Sequence, residues 1–276
     1  MTPRALGDVD VSVFARIMRA ISPFAEFTML YWIGEPLLHP HISDLLVAAR
    51  KAIKGRIVVS TNLTHASDSV LLALLSNADI IISCIDRWRP REYERIRRGA
   101  TFADVVAHTE RLLTLKSAQH PAEIVVKCLD LGMQPDEFAE FSDWWSRRGA
   151  RPLLAWVNDW AGTLTSLRTA ATLDIPHASD KRTFCADLWF KMVIDWQGRA
   201  HTCCFDWRRQ HPIGNVTEEG GVASIWHCER MIHLRKAHLG LNLSSIAMCQ
   251  ACNTWADVSE YGAYVDFDEA SYFTVF

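Results

Sequence analysis

The sequence predicts an α/β fold built on a parallel sheet, with a small cysteine-bearing unit after it. Two observations carry that expectation. Over the first two thirds of the 276 residues, short β-branched runs alternate with amphipathic segments. Near the C-terminal end, four cysteines fall at spacings that suit metal ligands. Strands that are apolar on both faces and separated by helices indicate parallel pairing with right-handed crossovers.

The elements follow in order. Val11, Phe14, Ile17, Met18 and Ile21 recur at helical spacing, so a helix covers Val11 to Ile21. A strand is expected near Phe27 to Ile33, then a helix from Ile42 to Ala52. Arg56 to Ser60 reads as the next strand. Asp68 to Leu75 follows as a helix, with Ser67 as its cap. Ile80 to Ser83 is strand-like, and Phe102 to Leu115 is a helix preceded by a Thr101 cap. Ala122 to Cys128 is a strand, Pro135 to Arg147 a helix and Pro152 to Val157 a further strand. Beyond them, Lys191 to Trp196 and Arg199 to Cys204 form a hairpin about a Gln197-Gly198 turn.

Polar residues gather where these strands end. Gly34-Glu35-Pro36 closes one, Ser60-Thr61-Asn62 the next and Ser83-Cys84-Ile85-Asp86 the third, while Asp130 and Asn158 follow later strands. Loops are polar in general, so no single residue decides anything. Repetition over successive units is what suggests a binding face, because parallel α/β barrels place their sites at the C-terminal strand ends. Glu35 would suit an ammonium group, and Asn62 and Ser83 would suit hydroxyls or a carboxylate. The ligand class implied is a polar, zwitterionic small molecule.

Composition narrows the rest. A net charge of −3 argues against a general nucleic-acid binder. No stretch approaches the roughly 18 apolar residues that span a bilayer, so no membrane role is expected. Met1 to Asp8 has no apolar core of the signal-peptide kind, which makes a reducing, cytoplasmic setting the expectation and disulfides improbable. Eight of the eleven tryptophans lie between Trp144 and Trp226, where packing is their ordinary role.

Cys185, Cys203, Cys249 and Cys252 are the candidate ligands. A Cys-x-x-Cys turn offers two soft ligands from one knuckle, and the hairpin region supplies the other two. Iron–sulfur, zinc and no metal are the three readings. Zinc ribbons usually carry two such knuckles, whereas here the first pair is split by an eighteen-residue step, which favours one iron–sulfur cluster. Cys84 and Cys128 read as small buried apolar residues. Cys204 and Cys228 are spare thiols, Cys204 being the nearest substitute ligand.

The pattern resembles the radical S-adenosylmethionine (radical SAM) family with a SPASM or twitch-type C-terminal domain. Gly34-Glu35-Pro36, Ser60-Thr61-Asn62, Ser83-Cys84-Ile85-Asp86 and the segment Tyr93 to Gly99 resemble successive strand ends of that family. Cys185, Gly198, Cys203, Cys249 and Cys252 resemble the twitch spacing. Asp195-Trp196-Gln197-Gly198, Cys203-Cys204-Phe205-Asp206, Ile213-Gly214-Asn215-Val216 and Ser224-Ile225-Trp226 resemble the same domain.

The resemblance implies a partial (β/α)6-type TIM-like barrel lacking its first strand over residues 1–175 and a SPASM/twitch domain over 176–276. It implies one auxiliary 4Fe–4S cluster on the four cysteines. S-adenosylmethionine contacts are implied at Gly34, Glu35, Pro36, Ser60, Asn62, Ser83 and Asp86. The family's radical-generating cluster is held by a Cys-x-x-x-Cys-x-x-Cys loop, and no cysteine precedes Cys84 here. Met1 to Arg4 resembles the end of that loop, with Thr2 in place of its last cysteine, so the chain reads as a fragment or a degenerate member. A complete form would hold S-adenosylmethionine and a second 4Fe–4S cluster and generate a 5′-deoxyadenosyl radical. It would modify a peptide or a small metabolite and draw electrons from a reductase. The alternative is a non-catalytic iron–sulfur or zinc protein that binds a peptide or a partner.

Overall fold

The structure, a computed structural model, describes residues 7–157, 160–161, 182–252 and 272–275. Thr2, Asn158 and the expected boundary at 175/176 lie outside the described residues. The chain divides into two compact units, one running from Thr28 to Val157 and the other comprising the described residues up to Phe27 and from Trp160 onward.

The first unit is an α/β layer structure. Its strands are β1 (Phe27–Met29), β2 (Arg56–Thr61), β3 (Ile80–Cys84), β4 (Glu123–Asp130) and β5 (Arg151–Trp156), in the order β5-β4-β3-β2-β1. The pairs β2–β3, β3–β4 and β4–β5 are parallel, with Ser60 opposite Ile82 and Thr61 opposite Ser83. Ile57, Val58, Val59, Ile80, Ile81, Ile124, Val125 and Val126 are all buried, which is why these runs read as apolar on both faces.

Helices connect the strands: α2 (Ile42–Ala52), α3 (Asp68–Asn77), α4 (Pro90–Ile96), α5 (Phe102–Leu115) and α6 (Pro135–Ser146). Ser67 caps α3 by accepting from the Val70 N–H, as expected. Thr101 precedes α5 but its hydroxyl bonds to the Asp104 carboxylate instead of a backbone N–H. The expected strand to Ile33 stops at Met29, although the Leu30 N–H still reaches the Val58 carbonyl at 2.7 Å.

In the second unit, α1 (Val11–Ile21) is capped by Asp10, whose carboxylate accepts from the N–H groups of Ser12 and Val13. The unit's sheet runs β9-β6-β7-β8, from β6 (Lys191–Ile194), β7 (Arg199–His201), β8 (Pro212–Asn215) and β9 (Tyr272–Val275). β6 pairs antiparallel with β7 and parallel with β9. Between β6 and β7 the chain turns at Gly198, whose φ of +81° suits glycine. A Cβ there would also meet the Asn215 side chain at 2.8 Å.

Among the described residues, four further helices complete this unit: α7 (Asp187–Phe190), α8 (Gly221–Trp226), α9 (Glu229–Leu239) and α10 (Ala247–Ala251). Leu188, Met231 and Leu234 form its small apolar core, with Trp189, Ile213, Cys228 and Ile246 packed against it. Cys228 is thereby accounted for as a packing residue.

Candidate metal centre and strand-end site

The four candidate ligands come from three separate segments of the second unit. Cys185 lies two residues before α7, Cys203 two residues after β7, Cys249 inside α10 and Cys252 just past its end. Hydrogen bonds hold the segments that carry these sulfurs. The Cys185 N–H donates to Nδ1 of His238, on α9, at 3.2 Å. The Cys203 sulfur accepts from the Phe205 N–H at 3.4 Å.

Around the knuckle, one guanidinium does the holding. Arg182 donates to the carbonyls of Cys249 at 2.6 Å, Gln250 at 3.3 Å and Cys252 at 3.5 Å. Those carbonyls lie at or just past the C-terminal end of α10, where the dipole favours a cation. The arrangement ties the segment leading into Cys185 to the segment carrying Cys249 and Cys252.

The four thiols influence one another's ionisation. Burial raises the Cys185 pKa, with Asp187, Cys252 and Cys249 adding to the rise. Burial and then Cys252 push Cys249 up to about 11, against Arg182. Cys203 is raised well above the usual thiol value by its bond with Cys204, by burial, and by Asp187 and Cys185 among others. Several half-buried thiols that oppose ionisation of their neighbours are poorly satisfied alone. A polycationic centre that binds them as thiolates resolves the conflict.

His238 adds a second mark. It is 2% exposed, its Nδ1 accepts from Cys185, and its Nε2 has no partner among the described residues. An orphaned buried donor beside Cys185 is what an anionic bound group would satisfy.

Four thiols are a donor set that either a cluster or a single soft ion can use. Four thiolates around zinc, at about 2.3 Å each, would have sulfurs roughly 3.8 Å apart. Among the described residues, only Asp187, Cys203 and Cys204 have ligand atoms all within 4.8 Å of one another. That trio already faces a cation, since Lys191 Nζ lies 3.3 Å from the Cys204 sulfur and 3.6 Å from Asp187. Burial disfavours this ammonium, but Asp187, Cys204 and Cys203 outweigh it and hold its pKa above the ordinary lysine value.

The Asp195 turn supports the β6–β7 hairpin that leads to Cys203. Its carboxylate accepts from the N–H groups of Gln197 and Arg199, from the Arg199 guanidinium and from Nε2 of buried His201. On its far side His201 faces Asp206, with Nδ1 at 3.5 Å from the carboxylate.

In the first unit, three of the strand-end positions converge. Glu35 accepts from the Thr61 hydroxyl at 2.5 Å and the Leu37 N–H at 3.0 Å through one oxygen. Through the other it accepts from the Asn62 N–H at 2.7 Å. Gly34 precedes it in open space and Pro36 starts the single 3-10 turn that Glu35 caps. Glu35 is thus a brace between two strand ends, with acceptor capacity left for one further donor. Replacing it with alanine would leave these donors unanswered, and urea unfolding should report a loss of about 1–3 kcal/mol.

The other expected positions turn elsewhere. The Ser60 hydroxyl meets the Cys84 sulfur at 3.2 Å. Ser83 is fully buried and shares a hydrogen bond with Thr109 of α5, on the helix-facing side of the sheet. Asp86 is 2% exposed and bonds Arg97 at 2.5 Å. Alternation along β3 explains the split, because Ser83 and Cys84 are successive residues and point to opposite faces.

Comparison with known proteins agrees with this layout. Residues 185–253 match the SPASM family, an iron-sulfur cluster-binding domain. No curated protein matches the chain. Among solved structures, BtrN in complex with AdoMet and 2-DOIA superposes with a TM-score of 0.60 at 16% identity, over 91% of this chain and 82% of BtrN. Streptococcus suis SuiB bound to precursor peptide SuiA gives 0.64 at 13% identity, over 84% of this chain and 61% of SuiB. The enzyme anSMEcpe with AdoMet and the Cp18Cys peptide gives 0.60 at 12% identity, over 96% of this chain and 85% of that one. The chain shares the α/β fold of these three structures, and its cysteine-bearing region matches the SPASM iron-sulfur cluster-binding domain.

Proposed function

We propose that this protein, with a radical SAM fold and a SPASM-type region, binds one auxiliary 4Fe–4S cluster through Cys185, Cys203, Cys249 and Cys252. The observation that supports the reading is that four half-buried cysteines from three segments lie within the matched region, with Cys185 electrostatically coupled to Cys203, Cys249 and Cys252. When bound, the cluster supplies an electron acceptor or an anchoring point for substrate. The chain's own residues hold the site: Arg182 fixes the knuckle, and His238 orients Cys185.

At the strand ends, Gly34, Glu35, Pro36 and Asn62 are proposed to receive S-adenosylmethionine, while Ser60, Ser83 and Asp86, which bond to Cys84, Thr109 and Arg97, support the strand ends behind them. The spare acceptor capacity of Glu35 suits the methionine ammonium group. Bound AdoMet in BtrN and anSMEcpe supports this assignment. In its complete form, which adds a second cluster, the protein is proposed to generate a 5′-deoxyadenosyl radical and modify a peptide or a small metabolite. The peptide of SuiB and the 2-DOIA of BtrN support that pair of classes. A reductase would supply the electrons, in the cytoplasm. No helix among the described residues is long and apolar enough to cross a membrane.

A second reading is a binding protein without turnover. It is favoured by one observation: these residues contain no cysteine before Cys84, so they do not by themselves offer the three thiolates of a radical-generating site. Anaerobic reconstitution tests both readings. About four irons and four sulfides per chain are expected, the count for one four-thiolate site. Dithionite should not drive cleavage of S-adenosylmethionine by these 276 residues. Tightly bound zinc without iron would overturn the cluster.

A further inference from the structure

Lys191 is a charged residue in an uncharged place. Its side chain is 6% exposed, and lysines are seldom buried unless paired. It opens β6, four residues after Asp187, and Asp187 itself follows Cys185 by two. Its ammonium lies 3.3 Å from the Cys204 sulfur and 3.6 Å from the Asp187 carboxylate. The Asp187 oxygen and the sulfurs of Cys203 and Cys204 lie within 4.8 Å of one another. The ammonium is therefore one sulfur away from a proposed cluster ligand.

An iron–sulfur cluster on four thiolates is net anionic, and reduction adds one more negative charge. Potentials of such clusters are set by net charge, by hydrogen bonds to sulfur and by exposure. A fixed cation in a dry setting stabilises the reduced form more than the oxidised one. We propose that Lys191, held in place by Asp187 and Cys204, is a positioning residue that raises the reduction potential of the auxiliary cluster. Cys204 then has a role of its own: its sulfur engages the ammonium, and Cys203 is the one that ligates. The inference rests on the cluster proposed above.

A purely structural Lys191, there only to neutralise Asp187, would affect stability and leave the potential alone. The test is a mediated redox titration of the anaerobically reconstituted full chain, followed by electron paramagnetic resonance. Iron is counted in every sample. Lys191→Met should move the midpoint to more negative values by on the order of 59 mV, a tenfold change in the reduced-to-oxidised ratio. Lys191→Arg should stay close to wild type, and Asp187→Asn should move the midpoint the opposite way, to more positive values. Each loaded variant should hold about four irons, since none of these residues is a proposed ligand.

A Lys191→Met protein with four irons and an unchanged midpoint overturns the inference and leaves the cluster assignment standing. Should Lys191→Met fail to load, Lys191→Gln decides, and an unchanged or more positive midpoint there overturns the inference. A wild-type chain that takes up no iron overturns both.

Discussion

Replacing Cys249 and Cys252 together by alanine is expected to remove nearly all the iron that the reconstituted chain carries. The two residues supply half of the proposed thiolates from one turn at the end of α10. Two remaining thiolates from distant segments would have no knuckle to close against. Metal binding at such a site is coupled to folding, so the loss extends beyond the iron. The region around Leu188, Met231 and Leu234 has a small core, so the proposed centre, tying three segments together, is expected to contribute much of its order. Inductively coupled plasma analysis should show near-zero iron, and proteolysis should cut the region 182–252 much faster than in wild type. The unit from Thr28 to Val157 should keep its protection, since it forms a separate compact unit. Iron retained at the wild-type level would move the ligands elsewhere.

The second large effect is expected at Asp195. The residue is 1% exposed and receives two backbone N–H groups, the Arg199 guanidinium and the buried His201 imidazole. Alanine there leaves His201, itself buried, facing a void with one of its two carboxylate partners removed. Breaking a buried pair in this way costs about 3–5 kcal/mol, and denaturant unfolding of the second unit should show it. Burial opposes ionisation of Asp195, but bonds from His201, Arg199 and the two N–H groups prevail and hold its pKa below the usual carboxylate value. Its contribution is therefore complete above the ordinary carboxylate pKa and disappears as pH falls through the lowered value. The stability gap between wild type and Asp195→Asn should narrow below about pH 4. A gap that widens in acid would reverse the assignment.

How far the sequence reaches can be judged residue by residue. The strands of the first unit were legible because runs such as Ile57-Val58-Val59 and Ile80-Ile81-Ile82 have no other reading between helical stretches. The proposed ligand cysteines stood out because their spacing is chemical and not periodic. Helix α4 was missed: in Pro90 to Ile96 only Tyr93 is buried, so no apolar stripe advertises it. Strand β9 was missed too, since its pairing with β6 joins residues about eighty apart in the chain. Arg182, Lys191 and His238 carry no local signal, because their roles come from what tertiary folding sets beside them. Ser83 could have been placed better. The two-residue period of β3 already sends it to the opposite face from Cys84.

The division of the chain has a consequence for how it is made. The unit from Thr28 to Val157 is continuous, while the other unit joins the residues up to Phe27 with those from Trp160 onward. On the ribosome, α1 emerges early and cannot find its final partners until the later segments follow. The inner unit can complete itself as soon as Val157 has cleared the exit tunnel. At the usual pace of roughly 5–20 residues per second, β9 arrives on the order of ten seconds later. During that interval the buried face of α1, with Phe14, Ile17, Met18 and Ile21, is left waiting. Nascent chains of this protein should therefore depend on chaperones that shield a single apolar helix, and iron delivery becomes useful only after Cys252 has been translated.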